Sequence, residues 1–224
     1  MLGRRQETSL SLLKASMSLV PVVAALVLGL VVIRFTDLKF LVAQHVLGVR
    51  DAQSVLVTRR SIRKFKKQAV PEAIVGRALA AAILAPNHWV NEPWRFHRLG
   101  PSTIEKLLEL NPEKRASLGA IPGWLVVSVV TETEKGGFVS VKGIEDHAAT
   151  ACATQNFMLS LAAAGVGSKW LTGALQMKPD DIMRAIGAPS EEKFLGIITF
   201  GYADEAPKAP NRKLGTGGVV KVLP

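Results

Sequence analysis

Hydrophobic positions in this chain fall into runs of three kinds, and each kind predicts a different element. The first is near the N-terminus, where nineteen uncharged residues separate Lys14 from Arg34 and include the apolar run Leu19–Ile33. Coiled as a helix they span ~28 Å, close to a hydrocarbon core of ~30 Å. That run has three readings: a single-pass anchor over residues 15–33, a cleaved signal or organelle-targeting (mitochondrial) sequence behind the basic leader Arg4, Arg5 and Lys14, or a buried core helix. The expectation carried forward is a membrane-anchored protein, with organelle targeting of a soluble mature domain as the alternative. Residues 1–35 are then the anchor or targeting segment, 36–50 a connector, and 51–224 the folded domain.

The second kind repeats at helical spacing. Asp51 caps a short helix through Val55, Leu56 and Val57. Pro71 and Glu72 open another, carried by Ile74, Val75, Ala78, Leu79, Ala82 and Ile83 and stopped by Pro86. Further helices are expected around Ile104–Leu110, from Glu145 to Gly165, and from Pro179 to Gly187. The Glu145–Gly165 helix is the longest and is apolar almost all round, so it should be central. The third kind is short and β-branched. Trp94–Leu99, Trp124–Val130 and Phe194–Phe200 read as strands, the last two as interior ones. The stretch Gly165–Gly173 reads as a turn, and the Pro/Gly/Lys-rich end after Ala206 as an extended arm. Helices and strands mix without strict βαβ alternation. The expected class is α+β, with helices around a mostly antiparallel or mixed sheet.

Charge changes this picture at one place. The formal charge is +10 over 224 residues. Residues 1–50 contribute six cations against Glu7 and Asp37, leaving +6 for the rest. That remainder equals the six cations of Arg59-Arg60-Ser61-Ile62-Arg63-Lys64-Phe65-Lys66-Lys67. Such a cluster is either a solvated basic face or a cradle for a phosphate dianion, in which Arg forks, the Ser61 hydroxyl and backbone N–H groups all donate. Nucleic-acid binders spread basic charge over a broader face, so the pattern favours a local anion pocket and no nucleic-acid partner. Cys152 is the only cysteine, which excludes an intrachain disulfide. The four histidines have no metal-ligand spacing, and neither the dinucleotide-binding nor the Walker glycine motif occurs. An enzyme with this inventory needs a cofactor to carry the reactive atom.

Four segments supply the identity of that cofactor. They are Arg59-Arg60-Ser61-x-Arg63-x-Phe65; Ala85-Pro86-Asn87-His88-x-x-x-Glu92-Pro93-Trp94-Arg95-Phe96; Gly165-Val166-Gly167-Ser168-x-Trp170-x-Thr172-Gly173; and Gly201-Tyr202-x-x-Glu205-x-Pro207 with Arg212-Lys213. In this order, from about Asp51 to Lys213, the chain resembles the FMN-dependent nitroreductases. The resemblance implies an α+β homodimer with FMN at the subunit interface and a C-terminal arm over the partner. NADH or NADPH is then the reductant, and the acceptor is a small electron-poor molecule such as a nitroaromatic or a quinone, reduced in ping-pong fashion. It implies that Arg59, Arg60, Ser61, Arg63, Arg212 and Lys213 hold the flavin phosphate and ribityl chain. His88 reaches the flavin, and Trp170, Leu171, Thr172 and Gly173 lie along its ring. Asn87, Asn91, Glu92, Gly165, Val166, Gly167, Ser168 and Lys169 are the expected nicotinamide or substrate contacts. No catalytic side chain is implied, since flavin N5 does the chemistry.

The chain departs from the family in one loop, which commonly reads Asn-x-Gln-Pro-Trp. Here Val90 takes the Asn position, Asn91 is displaced by one, and Glu92 replaces Gln, so an acid faces the substrate or pairs with Arg95 or another basic neighbour. This bears on substrate class more than on flavin binding. Two rival functions stay open at this point: a reductive dehalogenase-like flavoenzyme with a membrane anchor, and a membrane-tethered anion- or nucleic-acid-binding module without redox activity.

Overall fold

The computed structural model describes residues 52–131 and 140–223, which lie in the compact unit Arg50–Pro224. Its frame is a four-stranded sheet ordered β1 (Trp94–Arg98), β2 (Gly123–Val130), β4 (Glu192–Gly201), β3 (Gly167–Leu171), with every neighbouring pair antiparallel. The helices are α1 (Ala52–Thr58), α2 (Glu72–Ala82), α3 (Pro101–Glu109), α4 (Arg115–Leu118), α5 (Val141–Ala163), α6 (Pro179–Ala185) and α7 (Thr216–Val219). The class is α+β, as the mixture of periods implies.

Side chains alternate across a strand, so the two central strands feed two cores. Leu125 and Val127 of β2, with Ile198 and Phe200 of β4, face a layer made of α2 and α5. Phe200 meets Phe157 of α5 edge-on, with ring centroids 5.8 Å apart. Small residues (Ala78 and Ala82 against Ala149 and Ala153) let those two helices approach closely. Trp124, Val126 and Ile197 face the opposite way, onto Leu107 and Leu108 of α3 and Ile182 and Met183 of α6. Burying one such side chain is worth about 1.5–3 kcal/mol, so both helical layers are held by the sheet between them.

Two elements differ from the sequence reading. The expected turn Gly165–Gly173 is largely the edge strand β3, paired from Gly167↔Gly201 to Leu171↔Ile197. Gly165, at φ +75°, reverses the chain out of α5, and the strand starts two residues later. The long helix begins at Val141 rather than Glu145, because the Ser140 hydroxyl caps it by accepting the Gly143 N–H at 2.8 Å.

The membrane expectation is corrected. Among the described residues no helix is long and apolar enough to cross a membrane. The longest, α5, carries Lys142, Glu145, Asp146 and His147 in its first two turns. The run 15–33 on which the anchor rested lies outside the described residues, so the anchor, the membrane localisation and the targeting alternative are not carried further. Past Ala206 the chain is exposed and holds only the short α7.

Candidate functional site

The basic segment 59–67 is stitched into the fold along its length. Ser61 bridges Ser168 of β3, and the Ile62 N–H donates to the Ser168 carbonyl at 3.1 Å. Farther on, Phe65 bridges Ala203, the Lys66 N–H donates to Tyr202 at 2.8 Å, and the Asp204 N–H donates to Lys64 at 2.9 Å. The Glu205 carboxylate accepts the N–H groups of Arg63 and Lys64, and those bonds hold its pKa below the usual carboxylate range. Ile62 is buried and Phe65 packs on the α3–α6 core, while the cations between them project outward. The close approach depends on glycine at 167, where a Cβ would stand 2.5 Å from the Ile62 side chain.

On either side of Ile62 lies a hollow. The first, about 560 Å³, is lined by Arg59, Arg60, Ile62, Gly167, Ser168 and Pro207 among others. Burial, then the charges of Arg60 and Arg212, lowers the Arg59 pKa, so the tail guanidinium lies close enough to be felt. The Arg60 guanidinium donates to the carbonyls of Val57 and Arg59 at 2.9 and 2.8 Å, which turns part of its fork toward α1. The Ser168 hydroxyl is buried with no hydrogen-bond partner among the described residues. Guanidinium groups crowded enough to lower the Arg59 pKa favour an anion between them, whereas the Ser168 hydroxyl is sealed from the hollow.

The second hollow, about 310 Å³, takes Arg63, Lys169 and Leu171 together with Lys114, Ser117 and Ala174. Burial lowers the Lys169 pKa, the charges of Arg63 and Lys114 lower it further, and Glu205 opposes them. Lys114 and Ser117 were not singled out by sequence. They stand on a 3-10 turn and on α4, and nothing in their surroundings in the chain marks them apart from other exposed residues. Trp170 points to the opposite face of β3, onto the α2–α5 core, where a Cβ at Gly196 would meet its indole Nε1 at 2.1 Å. Thr172 and Gly173 follow at the exposed end of the strand, and Lys213 is exposed on the tail.

The remaining expected residues lie elsewhere. His88 Nδ1 is 3.3 Å from Glu145 Oε2, and Asn91 Nδ2 donates to Asp146 Oδ1 at 2.6 Å, both in the opening turns of α5. Burial raises the Asp146 pKa, but hydrogen bonds from Lys142 and Asn91 outweigh it and hold the carboxyl below its ordinary range. Asn87 Oδ1 accepts the Glu92 N–H at 3.0 Å. Arg95 donates to the Glu92 carbonyl at 2.9 Å rather than to its carboxylate, so the side-chain pair with Arg95 does not form. Displaced Asn91 is thus a strut for the loop. Trp89, Val90 and Glu92 hold φ values of 50°, 55° and 45°, a conformation that costs a β-branched residue most.

Within one chain the expected site therefore divides in two. Ala162, at the far end of α5, lines the first hollow, and Glu145 holds His88 seventeen residues earlier. At ~1.5 Å per residue the two groups are separated by ~26 Å along the helix, longer than a flavin mononucleotide.

Known proteins resemble this chain in sequence and fold. The family described as Nitroreductase family matches residues 56–202. YfhC of Bacillus subtilis, provisionally named an NAD(P)H nitroreductase, is 34% identical over 177 residues, covering 71% of this chain and 88% of that protein. The structure of a nitroreductase-like protein from Bacillus cereus superposes with a TM-score of 0.65 at 28% identity, over 78% of this chain and 96% of that one. An NADPH:FMN oxidoreductase from Vibrio harveyi shares the fold, with a TM-score of 0.66 at 17% identity over 77% of each chain.

Proposed function

Since the chain belongs to the nitroreductase family, a family of oxidoreductases, we propose that it is an FMN-dependent NAD(P)H oxidoreductase acting on electron-poor acceptors such as nitroaromatics or quinones. The observation that carries this reading is the pair of cationic hollows either side of Ile62. The residues fit the cofactor. Arg59, Ser61 and Arg212 would hold its phosphate, and Arg63, Lys114 and Lys169 would face a group that gains negative charge on reduction. When bound, FMN supplies two-electron transfer: a hydride leaves NAD(P)H, and a nitro group receives two electrons and two protons, becoming nitroso and water. The protein's part is to bind, orient and neutralise charge, and no side chain is needed as acid or base.

On this reading the ~26 Å split is bridged by a second copy, which would supply the other half of each site. Two copies packed antiparallel along α5 would bring the Asn87–Glu92 loop of one onto the hollows of the other. Val141 and Ile144 at the start of that helix, and Leu84 beside Leu159 and Ala163 toward its end, are exposed apolar side chains that such a partner would cover. The test is the visible spectrum of the purified full chain, then anaerobic titration with NADH and with NADPH. A yellow protein bleached by either supports the reading, as does loss of pigment from Arg59→Ala/Ser61→Ala. A colourless protein in excess FMN refutes it.

A further inference from the structure

The loop 87–92 displays one side chain at a cost that neither the fold nor the cofactor explains. Trp89 is 87% exposed, although it is among the largest apolar side chains in the chain. It sits at φ 50° and is followed by two further strained stations, Val90 at 55° and Glu92 at 45°. Strain of this kind costs of order 1–3 kcal/mol per residue and persists where the surroundings over-determine it. Here they do. Asn87 accepts the Glu92 N–H, Asn91 donates to buried Asp146, and the Asn91 N–H closes back on the His88 carbonyl at 3.0 Å. His88 is itself tied to Glu145 and meets Trp89 edge-on, with ring centroids 5.7 Å apart. The indole is therefore held out from a braced loop. It is not a loose residue on a floppy one.

We infer that Trp89 is a specificity-determining residue: its indole face stacks on the electron-poor ring of the acceptor bound in the partner copy's hollow. This rests on the proposed function, which places the loop of one copy over the cationic half-site of the other. The chemistry is matched. An indole is the most electron-rich aromatic face a protein offers, and nitroaromatics and quinones are electron-poor plates. The hollow itself is cationic and aliphatic, lined by Arg63, Lys114, Lys169 and Leu171, and contains no ring. A flat acceptor over the flavin has one face against the flavin ring, and the protein can offer its other face an aromatic partner only from outside the hollow.

The test uses the flavin-loaded full-length protein. Nitrobenzene is titrated into the oxidised form, and its dissociation constant is read from the perturbed flavin absorbance without turnover. Trp89→Ala should raise that constant about fivefold to tenfold, the span of an aromatic pair, and Trp89→Phe should restore most of it. Turnover should lose nitrobenzene activity relative to ferricyanide, a non-aromatic acceptor that needs no stacking. The inference is overturned if Trp89→Ala binds nitrobenzene as the parent does. It is also overturned if that variant sediments as a monomer, which would make Trp89 an interface anchor. Absence of flavin from the parent protein would refute the underlying reading as well, so the two failures are told apart.

Discussion

Cys152 offers a direct test of whether two copies pair along α5. It stands at the midpoint of α5, eleven residues from each end of Val141–Ala163, and its side chain is exposed. If two copies pack antiparallel along this helix so that each completes the other's site, the two-fold axis passes close to residue 152. Helix axes lie about 8–10 Å apart at such contacts, and Cα atoms sit about 2.3 Å from each axis. The two Cys152 Cα atoms are then about 4–5 Å apart, overlapping the ~4.4–6.8 Å range that a disulfide bridges. Mild oxidation of the full chain should give a linked species of twice 24.0 kDa on a non-reducing gel. Cys152→Ser should abolish it. Ala148→Cys in that serine background should not restore it, because the two new thiols would be ~12 Å apart along the helix. A linked band from position 148 but not from native 152, or a protein that stays monomeric at working concentration, would refute the antiparallel arrangement.

Other perturbations probe single contacts. Gly167→Ala places a methyl group 2.5 Å from the Ile62 side chain. It should push the basic segment off β3 and weaken FMN binding by about tenfold or more, read by fluorescence of released flavin. Glu192 is buried and shared by His97 Nε2 at 2.6 Å and by the Ser128 hydroxyl, so it ties β1, β2 and β4 together. Replacing it with Leu leaves His97 and Ser128 only each other, at 3.3 Å, and should cost about 1–3 kcal/mol, lowering the melting temperature measured by circular dichroism; a change below ~0.5 kcal/mol would show the cluster to be idle. The lowered pKa of Lys169 gives a pH test. A bound anion would raise that pKa, so anion affinity is full below the free-protein value and falls as pH rises through it, in a window under 10.5. Phosphate titrations at stepped pH should show this decline, and Lys169→Met should remove it.

Much of the frame was legible because the strongest signals are also the physically dominant ones. The apolar runs at Trp124–Val130 and Phe194–Phe200 can be satisfied only at the centre of a sheet, and they form its two inner strands. Pro71, Pro86, Pro179 and Gly187 mark helix limits through their fixed backbone preferences. β3 was hidden because five residues with a glycine and a lysine do not alternate, and its pairing comes from β4 rather than from its own propensity. The basic cluster was legible as charge. Its second layer was not, since Lys114 and Ser117 join Lys169 only through the packing of α4 beside β3. Nor does any sequence pattern reveal that displaced Asn91 answers Asp146, fifty-five positions away.

The stitching of residues 61–66 to residues 202–205 has a practical corollary for handling the protein. The charged grip and the end of the last strand form one fastening, closed by Tyr202, Ala203, Asp204 and Glu205. Shortening the polypeptide to finish at Gly201 would delete no residue of the Arg59–Arg63 cradle, yet it would unzip that cradle from its backing. Apparent loss of pigment in such a truncated product would report the missing clasp together with the missing Arg212, and would say nothing about Arg59, Arg60 and Arg63.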